Sequence, residues 1–297
     1  MSSVVEKLLN ECRHVTAKAY MSDVKDFSKW SGEDRLDNML RRLIKAGHMR
    51  ANAIVNEYID SMKARGLATK TVNRRLSSLH TLTKIAKRNG LIKWSIDVPF
   101  VTVTNKHDML GPSVDVATKM LKVADARNDI AGYRDAAIIR LLFDMALRRA
   151  EVASLDFSHI NWSTRKILVL GKGTAKRVEV SVPKESCKSL ERWANKHPIQ
   201  NGPLFISLSG NKWGHRISTT GIYLIIRHYG DLCGEHVRPS GLRHSSITRA
   251  LDVTNGDVRR VQQFSRHKQT SSVLIYDDAR KDFAGEISEL VALKGTP

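Results

Sequence analysis

Five side chains in the second half of the sequence are of types that together could open a phosphodiester without a metal ion: Arg148, Lys172, Arg243, His267 and Tyr276. The tyrosine falls nine residues after the histidine, in the stretch F-S-R-H-K-Q-T-S-S-V-L-I-Y. A phenol can act as a covalent nucleophile when its surroundings activate it. Guanidinium forks match the non-bridging oxygens of a phosphate, where negative charge collects in the transition state. A lysine can hand its proton to the departing oxygen. Each residue alone has a plainer explanation. Tyr276 would be a buried ring, Arg148 a cation serving a helix dipole, Arg243 a solvated helix residue and Lys172 a turn lysine. Two arginines, a lysine and a histidine with a late tyrosine, taken together, shift the odds away from those separate explanations.

The residues have to be held by regular elements, and the apolar periodicity supplies them. Tyr133 to Leu147 is strongly apolar and predicts a buried central helix ending at Arg148. Lys166–Leu170 and Arg177–Val182 are β-prone runs around G-K-G-T-A-K, a hairpin with a somewhat long turn and Lys172 at its tip. Pro183 suits the first turn of a helix running through Trp193. Further helical patterns cover Thr219–Tyr229, Ser240–Leu251, Gly256–Phe264 and Phe283–Leu293, the last with Ile287, Leu290 and Val291 on one side. The first hundred residues read as nearly all helix. Thr16–Trp30 places Tyr20, Val24 and Phe27 on one stripe, Asp34–Ala46 is stopped by Gly47, and Ala51–Ala64 follows. Thr69 reads as the N-cap of a helix that closes at Gly90, with Val72, Leu76, Leu79, Leu82 and Ile85 inward. Its outward side would carry Arg74, Arg75, Lys84, Lys87 and Arg88, either a solvated basic face or a surface for phosphates. Residues 91–112, with Pro99, Gly111 and Pro112, keep no helical period and read as a linker. The expected division is a helical domain at 1–104, a connection at 105–112 and a second domain at 113–297. The fold class is mainly α with a small β-hairpin or sheet.

Charge narrows the partner. The chain has 49 Lys and Arg against 30 Asp and Glu, a formal net charge of +19 over 297 residues. Residues 1–104 hold 19 basic and 10 acidic side chains, and the remainder 30 and 20, so both halves are basic. A long polyanion touching both domains fits this distribution, and nucleic acid is the commonest one. Three widely spaced cysteines argue for a reducing compartment and against a disulfide framework. No run approaches a membrane span and no signal-peptide core is present, so no membrane partner and a cytoplasmic location are expected. G-K-G-T at 171–174 is a poor P-loop, because Lys166 stands where the required glycine would be. Cys233, His236, His244 and His267 could be read as a zinc set, but one cysteine without paired spacing makes that weak, and no metal is expected.

Ordered motifs then match a known family. The C-terminal part resembles the catalytic domain of tyrosine recombinases, the phage integrase family. The helical N-terminal part resembles their core-binding, SAM-like domain, notably in T-A-K-A-Y-M-S-D-V-K-D-F-S-K-W. D-M-A-L-R-R-A-E-V-A-S-L aligns with the family's T-G-L-R-x-x-E-L-x-x-L, placing Arg148 as a catalytic arginine and Glu151 as its acidic support. G-K-G-T-A-K-R aligns Lys172 with the hairpin lysine, with Lys176 and Arg177 expected on the DNA backbone nearby. The family's H-x-L-R-H reads here Ser240-Gly241-Leu242-Arg243-His244, so Arg243 matches while serine replaces the first histidine. His267 matches the third box, with Arg266 where glycine is expected, and Tyr276 keeps the family offset.

The resemblance implies a site-specific recombinase that cuts and rejoins double-stranded DNA at paired sites through a 3′-phosphotyrosine. It also implies a homo-tetramer on DNA, aided in some systems by accessory proteins, associated with the nucleoid and needing neither metal nor ATP as cofactor. Ser240 or His244 would take the missing histidine's place. The alternative is a DNA-binding protein on the same scaffold that no longer cuts.

Overall fold

The computed structural model describes residues 3–12, 14–102, 111–171, 176–280 and 283–292. The chain divides into two compact units, Met1–Lys106 and His107–Pro297. It is mostly helical with one small sheet, and Lys172 and the turn around it, like 105–110 of the expected connection, lie outside the described residues.

Among the described residues, four helices build the first unit: α1 (Val4–Asn10), α2 (His14–Trp30), α3 (Leu36–Ala64) and α4 (Thr69–Arg88). A capping box starts α1, with Ser3 Oγ accepting from the Glu6 amide and the Ser3 amide donating to the Glu6 carboxylate. The two expected helices at 34–64 run on as α3, but Gly47 sits at φ 72°, ψ 175° and kinks it there. Val24, Phe27, Leu43, Tyr58, Leu76 and Leu82 are buried in one core, with the Phe27 and Tyr58 rings edge to face at 5.0 Å.

Three sequence expectations change here. Ala68, not Thr69, is the N-cap of α4, because Ala68 keeps the extended backbone while Thr69 is already helical. The start of the supposed linker belongs to this unit: Ile92, Ile96 and Val98 are buried in its core. The Asn73 amide pairs with both backbone groups of Val101 at 2.8 Å, and Thr83 Oγ1 accepts from the Ile96 amide. Arg75 is not on the outward face. Its guanidinium turns in to Asp26 and to the Tyr58 hydroxyl, which itself donates to Asp26 at 2.6 Å.

In the second unit, Ser113 caps α5 (Val114–Ala126) and Asp129 caps α6 (Ile130–Phe143) by accepting from the Gly132 amide. α6 is the central helix, with Ala136 through Ile139, Leu141 and Leu142 buried. It ends earlier than its apolar pattern, since Ala146 takes a left-handed φ of 45° and the Leu147 amide returns to the Leu141 carbonyl. Arg148 therefore does not end a helix; it is the N-cap of the short α7 (Arg149–Ala153). A three-stranded antiparallel sheet follows, β1 (Ile160–Asn161), β2 (Lys166–Leu170) and β3 (Arg177–Ser181), with Ile160 opposite Ile167 and Val169 opposite Val178. Ile167 and Val169 point into the core, where Trp193, Phe205 and Tyr229 are its largest buried rings. α8 (Lys184–Lys196) starts after Pro183, and α9 (Thr219–Leu232) and α10 (Pro239–Val253) complete the core. α11 (Val258–Ser265), α12 (Ser271–Arg280) and α13 (Phe283–Val291) close the chain. No described helix is long and apolar enough to cross a membrane.

Candidate active site

Short links around α6, α7, α10, α11 and α12 bring Arg148, Arg243, His267 and Tyr276 together. The loop after α6 presents Arg148, and Glu151 one turn on fixes it. Both oxygens of the buried Glu151 carboxylate are used: Oε1 accepts from Arg148 Nη1 at 2.6 Å, and Oε2 from the Arg148 amide at 2.8 Å. Arg266 Nη2 reaches the same Oε2 at 3.2 Å. Glu151 thus satisfies the N-cap amide from within the helix, as the acidic residue of a capping box does.

Arg243 rises from the first turns of α10 and is only 6% exposed. It donates to the Ala146 carbonyl, and through Nη2 to the Ser265 carbonyl at 2.5 Å. Burial, then the charges of Arg148 and Arg266, push its pKa down to about 9, leaving it charged at neutral pH. Three guanidinium groups, Arg148, Arg243 and Arg266, are gathered around one carboxylate, so the cluster carries a net charge of +2. An anion such as a phosphate oxygen pair relieves that repulsion.

His267 Nε2 lies 3.4 Å from Arg243 Nη2, and Nδ1 lies 2.9 Å from Ser265 Oγ. A guanidinium only donates, so Nε2 accepts and the proton of the neutral ring sits on Nδ1, pointing at Ser265. Burial and then the charges of Arg243, Arg148 and Arg266 hold its pKa down to about 4. Without an anion the imidazole is therefore neutral at pH 7, and it must gain a proton or change tautomer to donate to a phosphate. An unfolded chain takes up this proton near the ordinary histidine value of about 6.5, so the group favours unfolding as pH falls from there toward 4.

Tyr276 lies on α12, a helix the sequence pattern did not offer, since S-S-V-L-I-Y favours a strand. Its ring is 5% exposed and packs with Ala146, Ile247, Leu251, Val261 and Val273. His267 stacks on it with ring centroids 6.0 Å apart, and His244 meets it edge-on at 5.3 Å. Burial raises its pKa, and the charges of Arg243 and Arg148 partly offset this, so the phenol is protonated at rest.

Arg148, Arg243 and Ser240 line one cavity of about 290 Å³, together with Arg149, Tyr223 and Arg238. Ser240 and His244 also line a neighbouring cavity of about 460 Å³ beside Gly111 and Pro112. Gly111 has to be glycine, as a Cβ there would lie 2.0 Å from the Gly241 carbonyl oxygen of α10. Arg149, Arg238 and Tyr223 were not singled out from the sequence. The doubled arginine at 148–149 was a usable signal for the first, whereas Tyr223 comes from α9 and has none. Away from this cluster, Lys176 is exposed next to the hairpin turn and Arg177 opens β3, donating to the Leu168 carbonyl at 3.2 Å. On α4, Arg74, Lys84, Lys87 and Arg88 are exposed, with Arg74 paired to Asp23 and Arg88 to Glu11. Among the described residues no three His, Cys, Asp or Glu side chains gather as a metal site.

Comparison with known proteins gives this constellation its context. Residues 113–282 match the phage integrase family, and residues 5–90 match the phage integrase N-terminal SAM-like domain. A tyrosine recombinase of Synechococcus elongatus is 34% identical over 297 residues, spanning 97% of this chain and 92% of the relative. One from Synechocystis is 32% identical over 299 residues, spanning 98% and 95%. The crystal structure of the XerH site-specific recombinase bound to palindromic difH substrate shares the fold, with a TM-score of 0.70 at 16% identity over 93% of this chain and 80% of that one. Two domain matches in the family's order, and relatives matched nearly end to end, leave one conclusion: the chain belongs to the phage integrase family of tyrosine recombinases.

Proposed function

We propose that this protein is a site-specific DNA recombinase that cuts and rejoins strands through a phosphotyrosine at Tyr276. The observation that carries this is a cavity lined by both Arg148 and Arg243, distant in sequence, with Tyr276 close enough for the charges of both arginines to act on its phenol. The Tyr276 oxygen attacks phosphorus, the bond to the 5′ oxygen breaks, and Lys172 protonates that oxygen as it leaves. The 5′-hydroxyl of a partner strand then attacks the phosphotyrosine and releases the phenol. One ester replaces another at each step, so the chemistry needs no ATP. Arg148 and Arg243 hold the non-bridging oxygens, His267 donates to them once protonated, and Glu151 keeps Arg148 in place.

Residues 1–104 serve as the core-binding domain and 113–297 as the catalytic domain, acting as a tetramer on paired DNA sites in the cytoplasm. Exposed Ile287, Leu290 and Val291 on α13 favour assembly, since such an apolar side needs a partner surface. Lys84, Lys87, Lys176 and Arg177 meet the DNA backbone in this reading. A nicked suicide duplex tests the central claim: a covalent protein–DNA adduct that persists in EDTA is expected. Tight binding with no adduct at any pH would favour the non-cutting alternative.

Binding to DNA is expected to weaken steeply with salt. A protein with +19 formal charge that neutralises about six phosphates gives a log K against log salt slope near −5. A slope near zero in a salt titration would mean that the basic faces are solvated surface.

Ser240 is exposed and offers a single neutral donor, whereas His244, one turn further along α10, touches the Tyr276 ring. Ser240→Ala is expected to slow cleavage about 2- to 10-fold, the worth of one neutral hydrogen bond. Ser240→His should match or exceed wild type. His244→Ala should cost far more than Ser240→Ala if His244, edge-on against the Tyr276 ring, takes the phenol's proton. Single-turnover rates of the three variants decide the point, and equal losses from the two alanine changes would refute it.

A further inference from the structure

Arg266 is an improbable residue for its position. It is the C-cap of α11 at φ 56°, ψ 39°, a left-handed conformation that suits glycine and strains most side chains. Its guanidinium is largely buried, which depresses its pKa, and Nε is buried with no hydrogen-bond partner. Backbone strain, a desolvated charge and an unmet donor all oppose stability.

The rest of the guanidinium is fully engaged. Nη1 donates to the carbonyls of Met145 at 3.2 Å and Phe264 at 3.0 Å, and Nη2 to Ala146 at 2.8 Å and Glu151 Oε2 at 3.2 Å. Arg266 thereby joins the loop leading to Arg148, the carboxylate that orients Arg148, and the turn that holds His267. It also shares the Ala146 carbonyl with Arg243. A fork delivering several bonds in fixed directions can do this, and an ammonium cannot.

We infer that Arg266 is a positioning residue for strand cleavage, locking the Glu151 carboxylate and the Ala146 carbonyl so that the Arg148 and Arg243 forks are set before DNA arrives. This rests on the phosphotyrosine mechanism proposed above. Preorganised donors act mainly on the transition state, so losing the lock lowers the chemical rate and leaves DNA affinity nearly intact.

Arg266→Gly is the informative variant, because glycine relaxes the left-handed backbone while deleting the guanidinium. Adduct formation on a suicide duplex at saturating DNA is expected to slow about 10- to 100-fold. DNA affinity should stay within about threefold, and the thermal midpoint should equal or exceed wild type. Arg266→Lys should recover only part of the rate. In a Glu151→Gln background the loss from Arg266→Gly should shrink, since the two residues act through one carboxylate. An Arg266→Gly protein that cleaves at the wild-type rate overturns the inference alone. A rate loss matched by falling affinity and melting temperature also overturns it, making Arg266 a structural residue. If wild type itself forms no adduct, the phosphotyrosine mechanism fails and takes this inference with it.

Discussion

Tyr276→Phe is expected to abolish covalent adduct formation while leaving DNA affinity nearly unchanged. The ring is what the fold uses: it fills a small apolar cluster with Ile247, Leu251, Val261 and Val273, and two histidine rings lie against it. Phenylalanine keeps all of that packing and removes only the oxygen that would bond to phosphorus. Binding rests instead on phosphate contacts spread over a basic surface, and the phenol adds little to it. Denaturing electrophoresis of a labelled suicide duplex, run beside a binding titration, separates the two effects. An adduct formed by the Phe variant would move the nucleophile to another of the six tyrosines. Tyr223 would be the first to examine, because it lines the arginine cavity.

Arg243→Lys should be nearly as damaging to the chemistry, at about 10²–10³ in single-turnover rate by analogy with the loss of an oxyanion donor. The substitution keeps the charge, so geometry decides the effect. Arg243 uses Nη1 on the Ala146 carbonyl and Nη2 on the Ser265 carbonyl, which fixes the plane of the fork. A lysine ammonium cannot hold two backbone carbonyls in fixed directions and still present a planar edge to phosphate. Affinity should fall much less than rate, since one positive charge remains in place. A loss below about tenfold would mean that Arg243 supplies only charge and that the carbonyl anchoring is incidental.

The sequence made the chemistry legible where it lies in residue types at set intervals. Arg148 with Glu151, Arg243 with His244, and His267 with Tyr276 are local pairs or short offsets, and each lands in the cluster. Helix periodicity found α6, α8, α9 and α10 because their buried faces repeat along the chain. What stayed hidden depends on distant partners. Arg75 sits on a basic stretch of α4, yet Asp26 and Tyr58, remote in sequence, draw it inward. Ile92 to Val98 keeps no helical period, yet apolar and polar residues alternate along it, and Ile92, Ile96 and Val98 are buried without the segment forming a strand. The break after Phe143 was masked by the apolar run through Leu147, since no composition signal marks alanine in a left-handed turn. Arg266 looked like a departure from a glycine motif, and only its contacts with Glu151 and three carbonyls give it a role.

Ala146 is fully buried, and its oxygen receives both Arg243 and Arg266. An acceptor on the main chain survives any exchange of side chain, so mutation can reach it only by turning the peptide. With φ at 45°, that peptide tolerates glycine or asparagine and resists β-branched residues. Ala146→Val changes no charge and adds two methyl groups, and a substitution table would rank it as mild. Here it would swing one oxygen away from two arginines together. The protein's tolerance at this point is therefore set by torsion angle, and amino-acid similarity is a poor guide to it.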